Sequence, residues 1–298
     1  MTENSVHLHG LFVKKITPKY KKIYLCGIPV FYKKKKIKLE DSINELKEFI
    51  YQTMWLPQKV AELHKQVFPQ FKSIHEGEDI VIVGCGPTLF HYTPIKGAKH
   101  ISLNRAFRYK GIKFDYAFIW DLPGLAIAND GCVEDFLNYD CTKFVGKFLS
   151  ERIPISEYIE NKKGKLYRCY SSSRYPFLDP IVDPVIHADL SLFPLVDFMS
   201  ISFGALHFAS WTHPRRIYLV GLDTVINGSF DGRQNPYNFQ EMFKGYRLFK
   251  EFMQNHYPET EIISINPIGL KGLFKDMYTQ SYLDKHPELK NENVEILK

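Results

Sequence analysis

The feature that most constrains the fold is a run of apolar, mostly β-branched residues at positions 80–83, which ends directly in the turn Gly-Cys-Gly-Pro-Thr of residues 84–88. Four consecutive apolar residues predict a strand that is buried on both faces, as the strands of parallel sheets are. Glycines at the end of such a strand permit a tight turn into a following helix. The sequence therefore predicts a strand–turn–helix unit of an α/β protein.

The same pattern recurs along the rest of the chain. Short apolar runs that predict strands lie at residues 101–104, 116–121, 143–148, 166–169, 216–221 and 261–265, and helical patterns lie at residues 202–211 and 239–256. Continuously apolar strands that alternate with helices are typical of a mostly parallel sheet with helices on both faces. We therefore expect an α/β fold with a doubly wound, Rossmann-like sheet of about six strands between residues 78 and 270.

The N-terminal quarter of the chain has a different character. Residues 14–38 contain ten lysines and neither an arginine nor an acidic residue. Two β-prone runs in this segment flank Gly27, Ile28 and Pro29, which predicts a hairpin or a bent strand. From residue 40 to about 73, apolar residues recur at helical spacing, and Pro57 is expected to kink or divide the helix. We expect residues 1–75 to form a basic hairpin and a helical segment, and residues 76–298 to form a larger domain.

The charge distribution argues against a nucleic-acid-binding protein. The formal net charge of the chain is +6, which the ten lysines alone exceed, so the remainder is mildly acidic. A nucleic-acid groove needs positive charge across the binding face. Lysines interleaved with Ile23, Leu25 and Phe31 suit the surface of an anionic membrane, although lysines also protect the exposed edges of sheets.

The cysteines and the apolar segments predict the compartment. The five cysteines form no C-x-x-C pair and no metal-ligand spacing, which favours free thiols in a reducing cytoplasm. The N-terminus lacks the apolar core of a signal peptide. The longest apolar stretches are too short or too interrupted to cross a bilayer.

Glycines and polar residues coincide at the carboxyl ends of the predicted strands. Residues 84–88 follow one strand, and Asn104, Asp121 and Asp223 lie at the ends of three others. The carboxyl ends of parallel strands meet at one edge of the sheet, where doubly wound folds bind ligands. A glycine turn before a helix start favours a phosphate group. The incomplete G-x-G-x-x-G pattern argues against NAD, and a tight turn without a ligand is the alternative.

A loop at residues 224–236 is rich in glycine, asparagine and aspartate and is long for a connection, which predicts a lid or a substrate loop. The loop contains Asp231 and Arg233, and Glu241 lies in the helix that follows. These residues could serve as a base and a phosphate partner, or form ordinary solvated pairs. The chain has no zincin, α/β-hydrolase or P-loop motif and no D-x-D pair, which indicates chemistry without a metal.

The order of the segments IVIVGCGPTL, HISLNRAF, YAFIWD, ISFGALHFA, RIYLVGLD and INPIGL resembles the bacterial lipooligosaccharide sialyltransferases over about residues 78–275. These enzymes use CMP-sialic acid and have a GT-A variant of the Rossmann-like sheet. The glycine turn and the pattern YLVGLD are also similar to the 6-hydroxymethylpterin pyrophosphokinase-like family.

The resemblance implies that residues at the strand ends contact a nucleotide donor. These residues are Gly84, Cys85, Gly86, Pro87, Thr88, Asn104, Asp121, Ser202, Gly221, Leu222 and Asp223. Cys85 replaces an asparagine of the family, and the family's two phosphate-binding tyrosines fall near Val225 and near Phe230 or Asp231. The family's histidine base falls close to Glu241. Glu241 or Asp231 would then deprotonate the acceptor, and Arg233 and the amides of residues 86–88 would stabilise the leaving group.

The function implied by the resemblance is transfer of a sugar from a CMP-activated or other nucleotide donor to a lipooligosaccharide or polysaccharide acceptor, with no cofactor. Residues 76–298 would be the catalytic domain, and residues 14–38 would hold this cytoplasmic enzyme at the inner face of the membrane. A pyrophosphokinase-like enzyme with Mg²⁺ on Asp121 and Asp223 is one alternative. A degenerate glycan-binding or assembly protein is another, and the oligomeric state, a homo-oligomer included, stays open.

Overall fold

The computed structural model divides the chain into two compact units, Met1–Lys59 and Val60–Lys298. Residues 60–75, which the sequence analysis assigned to the N-terminal segment, belong to the second unit. The residues that the structure describes are 4–8, 12–17, 20–25, 28–32, 43, 47, 56–120, 122, 130–148, 163–173, 185–224, 228–233, 239–292 and 294–297.

The first unit contains a four-stranded antiparallel sheet in the order β1-β2-β3-β4. Its strands are β1 (Asn4–Leu8), β2 (Phe12–Thr17), β3 (Tyr20–Leu25) and β4 (Ile28–Tyr32). The pairing of Leu25 with Ile28 confirms the predicted hairpin. The sequence analysis missed β1 and β2, because short polar or lysine-interrupted strands do not produce a clear alternation of apolar residues.

The second unit contains a nine-stranded sheet in which every neighbouring pair is parallel. Its strands are β5 (Asp79–Val83), β6 (Lys99–Leu103), β7 (Tyr116–Ile119), β8 (Thr142–Phe148), β9 (Lys165–Ser173), β10 (Leu195–Asp197), β11 (Arg216–Val220), β12 (Glu261–Ile265) and β13 (Lys275–Met277). This confirms the predicted α/β fold. The sheet exceeds the expected six strands partly because β10 and β13 have only three residues each, too few for a recognisable pattern.

The strand order β10-β9-β8-β7-β6-β5-β11-β12-β13 defines a doubly wound sheet. From β5 the chain adds strands in one direction as far as β10 and then returns to place β11 on the other side of β5. The reversal of direction makes the gap beyond the carboxyl ends of β5 and β11 the topological switch point, where open α/β sheets bind their ligands.

Alternate residues of the central strands face two separate cores. Ile80 and Ile82 belong to the core beneath three helices, whereas Val81 and Val83 belong to the core on the opposite face. The first core includes residues of α1 (Leu56–Val67), α3 (Ile201–Trp211) and α4 (Phe239–His256), and the second includes residues of α2 (Cys132–Asn138). The short helix α5 (Gln280–Leu283) packs in a small third cluster. The positions of α3 and α4 match the sequence prediction closely, and Pro57 lies near the start of α1.

Two fully buried histidines attach the segment before α3 to the sheet. The Nε2 atom of His64 accepts the N–H of Tyr170 at 2.8 Å, and its Nδ1 lies 2.8 Å from the carbonyl of Phe193. His207 accepts the N–H of Val196 at 3.2 Å, and its other ring nitrogen lies 2.6 Å from the carbonyl of His187. Each ring accepts one hydrogen bond and donates another, which only the neutral imidazole can do.

Burial lowers the pKa of both His64 and His207 to about 4, although the carbonyl partners act in the opposite direction. In the unfolded chain these histidines take up a proton near pH 6.5. The unfolded state then binds more protons than the folded state. The contribution of these histidines to the free energy of unfolding should therefore be complete above about pH 6.5 and should decrease as the pH falls towards 4.

We predict that His207→Leu lowers the free energy of unfolding by about 2 kcal/mol or more at pH 7, because it leaves a buried amide and a buried carbonyl without partners. The variant should also show a weaker pH dependence between 6.5 and 4 in urea titrations. His256→Gln, at an exposed position of α4, is the control. An unchanged pH dependence in H207L would contradict this assignment.

Candidate functional site

The candidate site lies at the switch point, where the turns that follow β5 and β11 touch each other through their backbones. The amide of Gly84 donates to the carbonyl of Val220 at 2.8 Å, and the amide of Gly86 donates to the carbonyl of Gly221 at 2.8 Å. These two bonds continue the pairing of β5 with β11 beyond the ends of the strands. The two turns therefore form a single backbone unit at the carboxyl edge of the sheet.

The glycines of this unit are required by the closeness of that contact. A Cβ atom on Gly84 would lie 2.4 Å from the carbonyl oxygen of Gly221, and one on Gly86 would lie 2.4 Å from a carboxylate oxygen of Asp223. Gly221 itself has a φ of +64°, in the left-handed region that favours glycine. The glycine turn identified in the sequence thus serves first to let two loops pack together.

Asp223 closes the unit by capping the short 3-10 helix Pro87–His91. Its carboxylate accepts the amide N–H of Thr88 at 3.0 Å and, through its other oxygen, the hydroxyl of Thr88. Burial raises the pKa of Asp223, and the two bonds from Thr88 partly offset that effect. A carboxylate at the start of a helix fills the place that a bound phosphate takes in many nucleotide-binding proteins.

The amides of residues 86–88, which the sequence analysis expected to meet the leaving group, are not free in the structure. The N–H of Gly86 is bonded to Gly221, Pro87 has no N–H, and the N–H of Thr88 is bonded to Asp223. A ligand could reach these donors only by displacing the contacts that hold the two turns together.

Three arginines converge on one aspartate beside the switch point. Arg105 binds both carboxylate oxygens of Asp130, Arg233 approaches the same carboxylate at 2.6 Å, and Arg108 approaches it at 3.3 Å. The hydrogen bond from Arg105 is the largest cause that lowers the pKa of Asp130 to about 2, and the charges of Arg105 and Arg108 act in the same direction. Asp130 is therefore ionised at any physiological pH.

The cluster joins three separate segments of the carboxyl edge. Arg105 and Arg108 lie in the 3-10 helix Asn104–Arg108 after β6, Asp130 precedes α2, and Arg233 lies in the loop after β11. Arg108 also binds Asp135, and Arg233 lies 3.4 Å from Asp231. The side chain of Arg105 is only 7% exposed, whereas those of Arg108 and Arg233 are 29% and 43% exposed, so the latter two are open to a ligand.

Cys85 connects the glycine turn to the loop after β11. Its carbonyl accepts the N–H of Phe230 at 2.7 Å, and its thiol lies 3.4 Å from the carbonyl of Leu103. Burial, reinforced by the charge of Asp231, raises the pKa of the thiol to about 12. Cys85 thus positions a loop through its backbone carbonyl, and its neutral thiol is not activated as a nucleophile.

The structure brings together most of the residues that the sequence analysis selected. Residues 84–88 and 221–223 meet at the switch point, with Asp231 and Arg233 in the adjoining arginine cluster. Asn104 starts the helix after β6 in a left-handed conformation with a φ of +49° and is half-buried. Glu241 is half-buried in the first turn of α4. Asp121 lies outside the described residues.

Ser202 does not fit its predicted role beside the donor. Its side chain has no exposed surface, and its hydroxyl is bonded to the hydroxyl of Tyr246 at 2.7 Å and to that of Ser200 at 2.8 Å. These contacts fix the start of α3 against α4 in the interior. The residue therefore contributes to packing, and the prediction failed because a small polar residue at a helix start has the same pattern in either role.

The sequence analysis missed Arg105, Arg108 and Asp130. Two arginines lie three positions apart directly after the predicted strand HISLN. Like the other polar residues at strand ends, they could have been selected as candidate site residues. Asp130 had no comparable signal, because its importance depends on the folding of distant segments around it. Among the described residues, no three histidine, cysteine, aspartate or glutamate side chains are grouped so as to hold a metal ion.

Comparison of the sequence with models of known protein families and with curated proteins finds no match.

We predict that Gly86→Ala destabilises the protein by about 3 kcal/mol, because the added methyl group collides with Asp223 although the backbone conformation of Gly86 suits alanine. Gly97→Ala is the matched control, because Gly97 has a φ of +81° but open space around its Cβ position. This variant should lose only about 1 kcal/mol of unfolding free energy, through backbone strain. Equal losses in urea unfolding would show that the close contact has no energetic importance.

Proposed function

We propose that this protein is a glycosyltransferase that moves a sugar from a nucleotide donor to a lipooligosaccharide or polysaccharide acceptor. CMP-sialic acid or a related keto-acid sugar is the leading donor, as the sequence resemblance implies. The observation that supports the proposal most directly is the arginine cluster at the carboxyl edge of a doubly wound sheet, beside its switch point. This combination places cations where folds of this class bind nucleotides.

The chemistry of the donor matches those cations. A CMP-activated keto-acid sugar carries a phosphate and a carboxylate, and its transfer leaves additional negative charge on the departing phosphate. An enzyme without a metal must stabilise that charge with fixed donors. Arg108 and Arg233, which are both partly exposed, supply planar guanidinium groups that bind phosphate and carboxylate through paired hydrogen bonds.

The same geometry offers a general base. Asp231 lies 3.4 Å from Arg233 and therefore stands at the edge of the proposed phosphate site. A base must lie within hydrogen-bond reach of the acceptor hydroxyl, close to the sugar that is transferred. This position favours Asp231 as the base, with Glu241 as the second candidate.

The pyrophosphokinase alternative has less support from the geometry. It requires Asp223 to bind Mg²⁺ together with Asp121, yet both carboxylate oxygens of Asp223 accept hydrogen bonds from Thr88 and the side chain is buried. Mg²⁺ would have to compete with a cap that holds the glycine turn in place. A glycan-binding or assembly protein that has lost catalysis remains the third hypothesis.

A nucleotide screen distinguishes these three functions. We expect CMP to raise the melting temperature of the wild-type protein without Mg²⁺, and Arg233→Gln to weaken CMP binding roughly tenfold, because it removes a charged hydrogen-bond donor. Arg247→Gln, at an exposed position of α4, should bind CMP as the wild type does. UDP and GDP test the identity of the donor. A response to ATP only with Mg²⁺ would favour the pyrophosphokinase, and no response to any nucleotide would favour the binding protein.

We also propose that the first unit attaches the enzyme to the inner face of the membrane, where lipid-linked acceptors are available. The strand pairing in the four-stranded sheet places Leu8 opposite Phe12, Phe12 opposite Leu25 and Leu25 opposite Ile28, which gives a row of apolar positions across the strands. Lys15 is paired with Lys22. No helix among the described residues has the length and apolarity to span a bilayer. An apolar row bordered by lysines is suited to shallow, electrostatically assisted binding.

We predict that the intact chain co-sediments with vesicles that contain anionic lipid, and that binding weakens between 0.1 M and 1 M salt as the screening length falls from about 10 Å to about 3 Å. Changing Lys33, Lys34, Lys35 and Lys36 to glutamate should abolish most of the binding. A control with the same change of charge replaces four exposed lysines of the second unit, namely Lys65, Lys96, Lys110 and Lys113. Equal binding of both variants, or equal binding to neutral vesicles, would mean that the N-terminal lysines only protect a sheet edge.

A further inference from the structure

Three aromatic rings meet at the surface of the carboxyl edge, next to the arginine cluster. The rings of Phe90 and Tyr109 lie 6.2 Å apart, and those of Tyr109 and Phe230 lie 5.5 Å apart, both in edge-to-face arrangements. Phe90 is 59% exposed, whereas Tyr109 and Phe230 are half-buried.

The three rings come from the three segments that surround the switch point. Phe90 lies in the 3-10 helix that follows β5, Tyr109 follows the 3-10 helix after β6, and Phe230 lies in the loop after β11. The bond from the Phe230 amide to the carbonyl of Cys85 holds the last ring beside the glycine turn. The aromatic patch, defined as Phe90, Tyr109 and Phe230, therefore borders the place where the fold binds ligands.

The patch also adjoins the partly exposed cations. Tyr109 directly follows Arg108 in the sequence, and Phe230 precedes Arg233 by three residues in the same loop. A planar aromatic surface next to guanidinium groups is complementary to one kind of small molecule, a nucleotide, which combines a flat ring with an anionic phosphate.

We infer that the aromatic patch binds the nucleobase of the donor by stacking, while Arg108 and Arg233 bind its phosphate. This inference rests on the proposed function and adds to it the location of the nucleobase, which it places on the aromatic patch beside the glycine turn. Phe90 is the principal stacking residue, because it alone of the three presents most of its side chain to solvent. Tyr109 contacts the ring of Phe90 in an edge-to-face arrangement, and Phe230 in turn contacts Tyr109.

Other occupants fit the patch less well. The apolar surface of one exposed ring and two half-buried rings is small. A protein or membrane contact is typically marked by several hundred Å² of apolar surface. The ion pairs of Arg108 and Arg233 with aspartates also surround it with charge. A nucleobase is about the size of one side chain. It is the occupant whose dimensions and charge agree with the patch and the charged groups around it.

The test is calorimetric titration of the full-length protein with CMP and, separately, with ribose 5-phosphate, which carries the phosphate but no base. Phe90→Ala should weaken CMP binding roughly tenfold, as expected for loss of one stacked base, and should change ribose 5-phosphate binding less than twofold. Phe90→Trp should retain CMP binding. Ile74→Ala, which removes an apolar side chain that is 44% exposed and precedes β5, is the control for surface truncation.

Two results would overturn the inference while leaving the proposed function intact. One is wild-type affinity of F90A for CMP, and the other is an equal loss of affinity for CMP and ribose 5-phosphate, which would mean that the ring only supports the arginines. Failure of the wild-type protein to bind any nucleotide would instead overturn the proposed function and the inference with it. Melting temperatures of all variants establish that each is folded, and Tyr109→Leu tests the supporting ring independently.

Discussion

The backbone contact between the turns after β5 and β11 is the constraint on which the rest of the structure depends. It pairs Gly84 and Gly86 with the carbonyls of Val220 and Gly221, and it leaves no space for a side chain at either glycine. Asp223 then uses its carboxylate to cap the helix that begins after the glycine turn. The contact brings strands that are more than a hundred residues apart in the chain into register at the centre of the sheet.

This arrangement has a consequence for binding. In many doubly wound proteins the glycine turn and the helix start leave amides free for a phosphate. Here the corresponding groups of Gly86 and Thr88 are bonded to the neighbouring turn. The positive charge at the edge comes instead from side chains, which the three aspartates Asp130, Asp135 and Asp231 hold in place. Ion pairs of this kind restrict the rotamers of long arginine side chains and so reduce the entropy that a ligand must overcome.

The polar groups near β10, at one end of the sheet, differ in exposure from those near the switch point at its centre. Near β10 the polar side chains are withdrawn from solvent: Asp197 is buried, burial raises its pKa to about 7, and Ser202 is bonded to Tyr246 in the interior. Near β5, β6 and β11, by contrast, guanidinium groups and an aromatic ring reach the surface. Polar groups at strand ends are thus structural in one region and available for binding in the other. The distinction supports the switch point, rather than the whole edge, as the proposed ligand site.

Features that depend on interactions between residues close in the sequence could be predicted, and features that depend on contacts between distant segments could not. The buried strand that ends at Val83, the helix Phe239–His256 and the parallel sheet were all predictable, because apolar periodicity and glycine turns act within a few residues. The meeting of Gly84 with Gly221 was foreseen only as a shared edge. The tertiary structure decided the remaining features. These are the capping of Thr88 by Asp223, the enclosure of Ser202, and the convergence of Arg105, Arg108 and Arg233 on Asp130. These outcomes depend on distances between segments far apart in the chain, which the order of residues alone does not contain.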